Sequence, residues 1–256
     1  NIRREANDDL KNLLKNKEID MLCGASTVTL ERMRVSDFTL FTFLSGASVI
    51  YGKPPSEGAK DSTKEGFTVG VLENTTSREQ VDRIVTIFLE NQKDFKMVEL
   101  SRVKTTTFLN HYEGVQALRD RIIDAYIADK EILLALEKLT ESDSESDDQP
   151  AERIQLKVLH DYFTVEPYAI GISLGNPDLR FVANTVLSDL FSMDQGKEGS
   201  ISAILQKNFP GKTFSKSLEN MFLLQQLSVG TRVADDFLSR ISRQECNDTL
   251  KSQGNE

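Results

Sequence analysis

A chain of 256 residues, 39% hydrophobic and 28% charged, is large enough to bury one sizeable core or two lobes. Its net charge of −9 argues against a nucleic-acid partner, which needs a basic face to displace counterions. No stretch approaches the roughly 18 apolar residues that a helix needs to cross a bilayer.

Residues 7–16 read as the end of an amphipathic helix with Leu10, Leu13 and Leu14 on one face. Ile19 to Gly24 reads as a buried strand, and Thr29 opens a short helical turn that carries Arg32. The run from Asp37 to Gly52 is a long extended segment broken at Gly46, followed by a Pro/Gly loop, KPPSEGAKDSTKEG. Phe67 to Leu72 predicts a strand. The helix predicted after it, Thr76 to about Asn91, carries Val81, Ile84, Val85, Phe88 and Leu89 at the spacing of a helix packed on a sheet. Strand FKMVEL, helix GVQALRDR, strand IIDAYI and helix KEILLALEKL continue the alternation, which indicates a parallel sheet with crossover helices. IQLKVL reads as a further strand and TVEPYAIGISL, Thr164 to Leu174, as a second long extended segment.

The remainder reads as helical. One apolar face has Leu179, Val182, Val186, Leu187, Leu190 and Phe191; others have Ile201, Ile204 and Leu205, then Leu218, Met221 and Phe222. From residue 231 the chain is a polar tail. The acidic run ESDSESDDQPAE (141–152) reads as a solvated loop. It fails as a calcium loop, because the sixth position would be Asp148 instead of glycine and the twelfth Ile154 instead of glutamate. The two long extended segments read as two chain crossings between lobes, which is how a hinge is made. Cys23 and Cys246, far apart in sequence, allow one long-range disulfide or two separate thiols.

Two regions suit the charged ends of a free amino acid. CGASTVTLER, Cys23 to Arg32, places a guanidinium near small hydroxyls, and a guanidinium fork takes a carboxylate with two parallel hydrogen bonds. Thr27, five residues before Arg32, offers a hydroxyl and an N–H, and Ala25 offers its carbonyl. In the second region, Thr76-Ser77-Arg78-Glu79 has the capping-box pattern at a helix start, where free N–H groups attract an anion; Thr75 is the neighbouring candidate. Asp129 ends the strand IIDAYIAD, on the side where open α/β sheets bind ligands, and a carboxylate there suits an ammonium. Each residue also has a plain structural role: Arg32 at the surface, Thr27 at a strand end, Thr76 and Asp129 as helix caps.

The segments IDMLCGASTVTLERMRVSDFT, GASVIYGK, FTVGVLENTTSREQV, ALRDRIIDAYIADKEILL and PYAIGISLGNPDLRFVANTVLSDL occur in this order. Together they resemble the polar-amino-acid group of extracytoplasmic solute-binding proteins (family 3) of bacterial ABC transporters, from the first residues to about Gly230. The resemblance implies an α/β, two-lobed type II periplasmic-binding fold with parallel-type sheets and two hinge crossings. Lobe one is expected from 1–43 and 171–230, lobe two from 47–164, the hinge at 44–46 and 165–170, and a tail at 231–256. Family members carry about 45 further residues ahead of this point, so lobe one is expected to be incomplete.

The resemblance places the carboxylate clamp at Arg32 and completes it with Thr76, and in that context the crevice position of Asp129 favours its role as partner of the ammonium. His111, 18 residues before Asp129, has the spacing of a side-chain contact in glutamate- and aspartate-binding members. The implied activity is capture of a free polar amino acid, glutamate or aspartate among them, and delivery to a membrane permease. It is expected of a monomer outside the cytoplasm, free or membrane-tethered, with no catalysis, cofactor or metal. An extracellular sensor domain and a cyclohexadienyl dehydratase-like enzyme are the alternatives on the same fold.

Overall fold

The computed structural model describes residues 12–52, 66–92, 95, 98–142, 156–192, 200–209 and 214–226. The chain divides into two compact units, Asn1–Gly175 and Asn176–Glu256. The Pro/Gly loop at 53–65, most of the acidic run, Cys246 and the polar tail lie outside the described residues.

The first unit holds two sheets. The smaller is antiparallel, in the order β1 (Met21–Leu22), β8 (Glu166–Ser173), β2 (Ser36–Ser45). Its central strand β8 pairs Ile172 with Met21 on one side and Glu166 with Ser45 on the other. The strand expected over Ile19–Gly24 is thus only two residues long and partly exposed.

The larger sheet has the order β5 (Val103–Phe108), β4 (Phe67–Leu72), β6 (Ala125–Asp129), β3 (Ala47–Gly52), β7 (Leu156–Val158). Strands β5, β4 and β6 are parallel, as the alternating pattern predicts. The other two, β3 and β7, join antiparallel. Strand β3 follows β2 directly as an extended run, with no crossover helix to impose a parallel direction, and β7, antiparallel to β3, shares the direction of β6.

Period-two alternation divides this sheet's side chains between two cores. Ala47, Val49, Tyr51, Val69, Val71 and Ile127 face one way. Helix α2 (Val81–Asn91) covers them with Val81, Ile84, Val85, Phe88 and Leu89, all buried as the stripe predicted. Burying such side chains fully is worth about 1.5–3 kcal/mol each. Ile50, Tyr126 and Ala128 face the other way, under Val115 and Leu118 of α3 (His111–Arg119) and Leu133 of α4 (Lys130–Ser142). Gly114 admits the Tyr126 ring: a Cβ there would lie 2.2 Å from Tyr126 Cε2.

Two expected elements are placed differently. The helix predicted from Thr76 is broken at Gln80 into α1 (Thr76–Glu79) and α2. The strand expected at FKMVEL is not the one that pairs with β4; VKTTTF, Val103–Phe108, takes that place, after a 3-10 turn at Leu100–Arg102. Hydrophobicity misleads here because β5 is an exposed edge strand, where β-branched residues suffice and apolar ones are not needed.

The second unit contains α5 (Pro177–Ser192), α6 (Ile201–Asn208) and α7 (Lys216–Leu224). Ser200 and Ser215 cap the last two by accepting from Ala203 N and Leu218 N. Phe191 and Phe222 pack with ring centroids 4.8 Å apart, and Leu205 and Leu218 are buried. Val186, expected on the α5 apolar face, is 53% exposed.

Candidate functional site

Arg32 sits on a 3-10 turn, Arg32–Arg34, that Thr29 initiates. Thr29 accepts from Arg32 N at its Oγ1 (3.2 Å) and from Met33 N at its carbonyl (2.9 Å). Ser36 Oγ donates to Arg32 O at 3.0 Å, closing the turn's other end. The guanidinium Nη1 donates to Thr27 O at 2.7 Å. Among the described residues Arg32 has no salt-bridge partner, so most of its fork is unspent. Thr27 itself is buried and forms a bridge with Tyr168 of β8. Ala25, Ser26 and Arg32 line a cavity of about 50 Å³ that is floored by Leu22, Phe38 and Gly171.

Asp129 ends β6, where its backbone pairs with Ala47 of β3. Its carboxylate accepts a hydrogen bond from Tyr168 OH. Burial pushes the Asp129 carboxyl up to about 6, and the charges of Glu166 and Glu131 add to this; the Tyr168 hydrogen bond and Arg32 oppose it. Burial and the adjacent Asp129 also raise the Tyr168 hydroxyl, which therefore stays a donor. Glu131 is held by Ser45 Oγ and by Tyr162 OH, the latter at 2.8 Å.

Thr75, and not Thr76, caps α1. Thr75 Oγ1 accepts from Arg78 N at 3.3 Å and donates to Leu72 O at 2.8 Å. The capping box read from Thr76 to Glu79 is thus out of frame by one residue, and this frees Thr76 from capping. Thr76 is buried, and its hydroxyl donates to Glu166 Oε2 at 2.9 Å. Thr164 Oγ1 donates to the other oxygen, Oε1, at 2.9 Å, while accepting from Ala47 N at 2.8 Å. Glu166 is only 1% exposed, so this fully buried carboxylate is satisfied by two hydroxyls.

His111 starts α3, and its Nδ1 lies 3.0 Å from Tyr126 OH. Tyr126 and Asp129 stand three residues apart on β6, hence on opposite faces of the sheet. Burial holds the imidazole below its usual range, which favours the neutral ring. The structure therefore joins Thr27, Arg32, Thr76 and Asp129 through Glu166 and Tyr168, places Ala25 in the Arg32 cavity, commits Thr75 to its cap, and pairs His111 elsewhere.

Glu166, Tyr168, Thr164 and Glu131 were missed by the sequence reading. One signal was present: a glutamate inside an otherwise apolar extended run, TVEPYAIGISL, two residues before a tyrosine on the same face.

No family model matches the chain. The glutamine-binding protein of Geobacillus stearothermophilus is 26% identical over 159 residues, which are 62% of this chain and 50% of that protein. The match thus spans half the length of this curated relative. Among solved structures, an ancestral arginine-binding protein bound to glutamine superposes with a TM-score of 0.60 at 24% identity, over 82% of this chain and 79% of that one. The substrate binding protein of an amino acid ABC transporter gives a TM-score of 0.60 at 21% identity, with the same coverage of 82% and 79%. In sequence the chain is similar to a glutamine-binding protein, and in fold it is similar to solved amino-acid-binding proteins, among them the substrate binding protein of an amino acid ABC transporter.

Proposed function

We propose that this chain binds a free amino acid at Arg32, Thr27, Ala25, Thr76 and Asp129, and delivers it to the permease of an ABC uptake transporter. One observation carries the reading. Two residues of β8, Glu166 and Tyr168, tie the unspent guanidinium region, through Thr27, to the Asp129 carboxylate and to Thr76. The α-carboxylate of a ligand takes the remaining donors of Arg32, and its α-ammonium takes Asp129. An ammonium there supplies the counter-charge that the Asp129 carboxyl, raised chiefly by burial, lacks, and it offsets the added repulsion from Glu166 and Glu131.

Among polar amino acids this favours neutral or cationic side chains over acidic ones. Two further carboxylates, Glu166 and Glu131, act on Asp129, and His111, the cation an acidic side chain would need, is bonded to Tyr126 and disfavours its charge. The names of the relatives, glutamine- and arginine-binding, agree with that preference. In this reading residues 44–46 and 165–170 act as the hinge between the proposed lobes. The ligand stabilises the closed form because only that form meets both of its charges. The protein works outside the cytoplasm, and the reading is binding without turnover: the tuned Asp129 carboxyl pairs with charge instead of moving a proton.

The test is thermal unfolding against each of the twenty amino acids, with amino acid consumption followed in parallel. A ligand at 100 times its Kd stabilises by about 2.7 kcal/mol. A raised midpoint with glutamine, arginine or lysine and no consumption supports the proposal. A folded protein whose midpoint no amino acid moves refutes it, and turnover would reassign Asp129 as a general acid.

A further inference from the structure

Asp129 is faced from three elements: Tyr168 and Glu166 from β8, Glu131 from α4, and Arg32 from its turn. Two of these neighbours are repulsive carboxylates, and Arg32, whose Nη1 donates to Thr27 O, acts on Asp129 through its charge. Tyr168 is the residue whose hydrogen bond reaches the Asp129 carboxylate. Its ring is fixed independently of that bond. Its backbone pairs with Phe43 of β2 and bridges to Thr27, its carbonyl accepts from Thr42 Oγ1 at 3.3 Å, and its ring stacks on Phe43 with centroids 6.1 Å apart. A donor on so rigid a base both aims the carboxylate and favours its charged form. Glu166, two residues earlier on the same face of β8, accepts from the Thr76 hydroxyl at 2.9 Å.

We propose that Tyr168 is a positioning residue for ammonium recognition: its hydroxyl fixes the Asp129 carboxylate and thereby sets the acid limit below which the ligand is released. The ligand part of this statement rests on the amino acid reading above; the titration part does not. Protonation of Asp129 removes the counter-charge of the ammonium, so affinity falls as pH drops through the Asp129 midpoint. Loss of the Tyr168 donor removes a stabilising partner of the carboxylate alone, so the midpoint moves up and release begins at higher pH.

The experiment uses the full chain and the variant Tyr168→Phe, which keeps the ring and its packing on Phe43. The Asp129 carboxyl is titrated without ligand by NMR of protein carrying isotope-labelled aspartate, with Asp129→Asn identifying the resonance. A hydrogen bond to a carboxylate is worth about one pH unit or more, and Tyr168→Phe is expected to raise the midpoint by that amount. Calorimetric titration with glutamine and with arginine at pH 5 to 8 is then expected to show the affinity loss displaced upward by the same interval. An unchanged midpoint, with or without a uniform loss of affinity, overturns the proposal, because a merely structural tyrosine would leave the titration where it was. A raised midpoint in a protein that binds no amino acid keeps Tyr168 as the group that tunes Asp129 and removes the amino acid reading instead.

Discussion

Replacing Asp129 by Asn should make the unliganded protein more stable and unable to hold its ligand. Asp129 is half-buried, and its carboxyl is raised from 3.8 to about 6. In the unfolded chain it titrates near its ordinary value. The folded state therefore binds the proton more tightly, and stability falls as pH rises through the window between those two values. The cost is absent below about pH 4 and fully present above about pH 6. A shift of about two units corresponds to about 3 kcal/mol as an upper bound; solvent reaching the half-buried carboxylate brings the expectation to about 2.

Asparagine keeps the shape and an acceptor for Tyr168 OH, and it carries no charge to repel Glu166 and Glu131. At pH 7 its unfolding midpoint should exceed that of the parent by about 4–8 °C, and the difference should vanish near pH 4. The assay is differential scanning calorimetry of both proteins, without ligand, across that range. Amino acid binding should fall at the same time by on the order of 100-fold, since a charged partner of the ammonium is lost. An Asp129→Asn protein no more stable than the parent at pH 7, or one whose advantage is independent of pH, would refute the account of Asp129 as a carboxylate held in an unfavourable field until its ligand arrives.

Arg32→Ala should weaken amino acid binding by on the order of 100-fold, because a bidentate charged contact is lost; near-normal affinity by calorimetric titration would sink the carboxylate clamp. Thr75→Ala should cost about 1 kcal/mol in denaturant unfolding by removing the α1 cap, while Thr76→Val, leaving buried Glu166 with one hydroxyl fewer, should cost about 1–3 kcal/mol; equal and negligible effects would contradict the cap assignment. Gly46→Ala should destabilise by about 2 kcal/mol or more, since a Cβ there would lie 2.2 Å from the backbone oxygen of Thr164, which cannot swing aside. His111 has a folded-state pKa below its ordinary value, so the unfolded state takes up the proton first and stability falls as pH drops below about 6.5. His111→Asn should flatten that acid slope, and an unchanged slope would place the effect elsewhere.

The elements that could be read from the sequence are those whose signal lies within one segment. The stripe from Val81 to Leu89 is a property of one helix, and the structure buries all five residues. The extended run broken at Gly46 became β2 and β3, because a glycine between two β-rich stretches marks a close backbone approach. The parallel trio β5–β4–β6 followed from alternation, although the edge strand was missed: β5 needs pairing with β4 but little burial, and Thr105, Thr106 and Thr107 show the first without the hydrophobicity that signals the second.

The site divides in the same way. Arg32 and Asp129 could be singled out as candidates because each ends a recognisable local motif. The frame of the α1 cap was missed because Thr75 and Thr76 are chemically identical, and only the φ/ψ break between strand and helix tells which hydroxyl meets Arg78 N. That one-residue difference decides the chemistry, since it turns Thr76 from a cap into the partner of Glu166. Glu166 and Tyr168 were harder still. Their roles depend on Thr76, 90 residues away, and on Asp129, 39 residues away. A buried glutamate in an apolar strand is costly unless hydroxyls come to it from elsewhere in the fold, so its presence in TVEPYAIGISL was a sign that distant residues converge on β8.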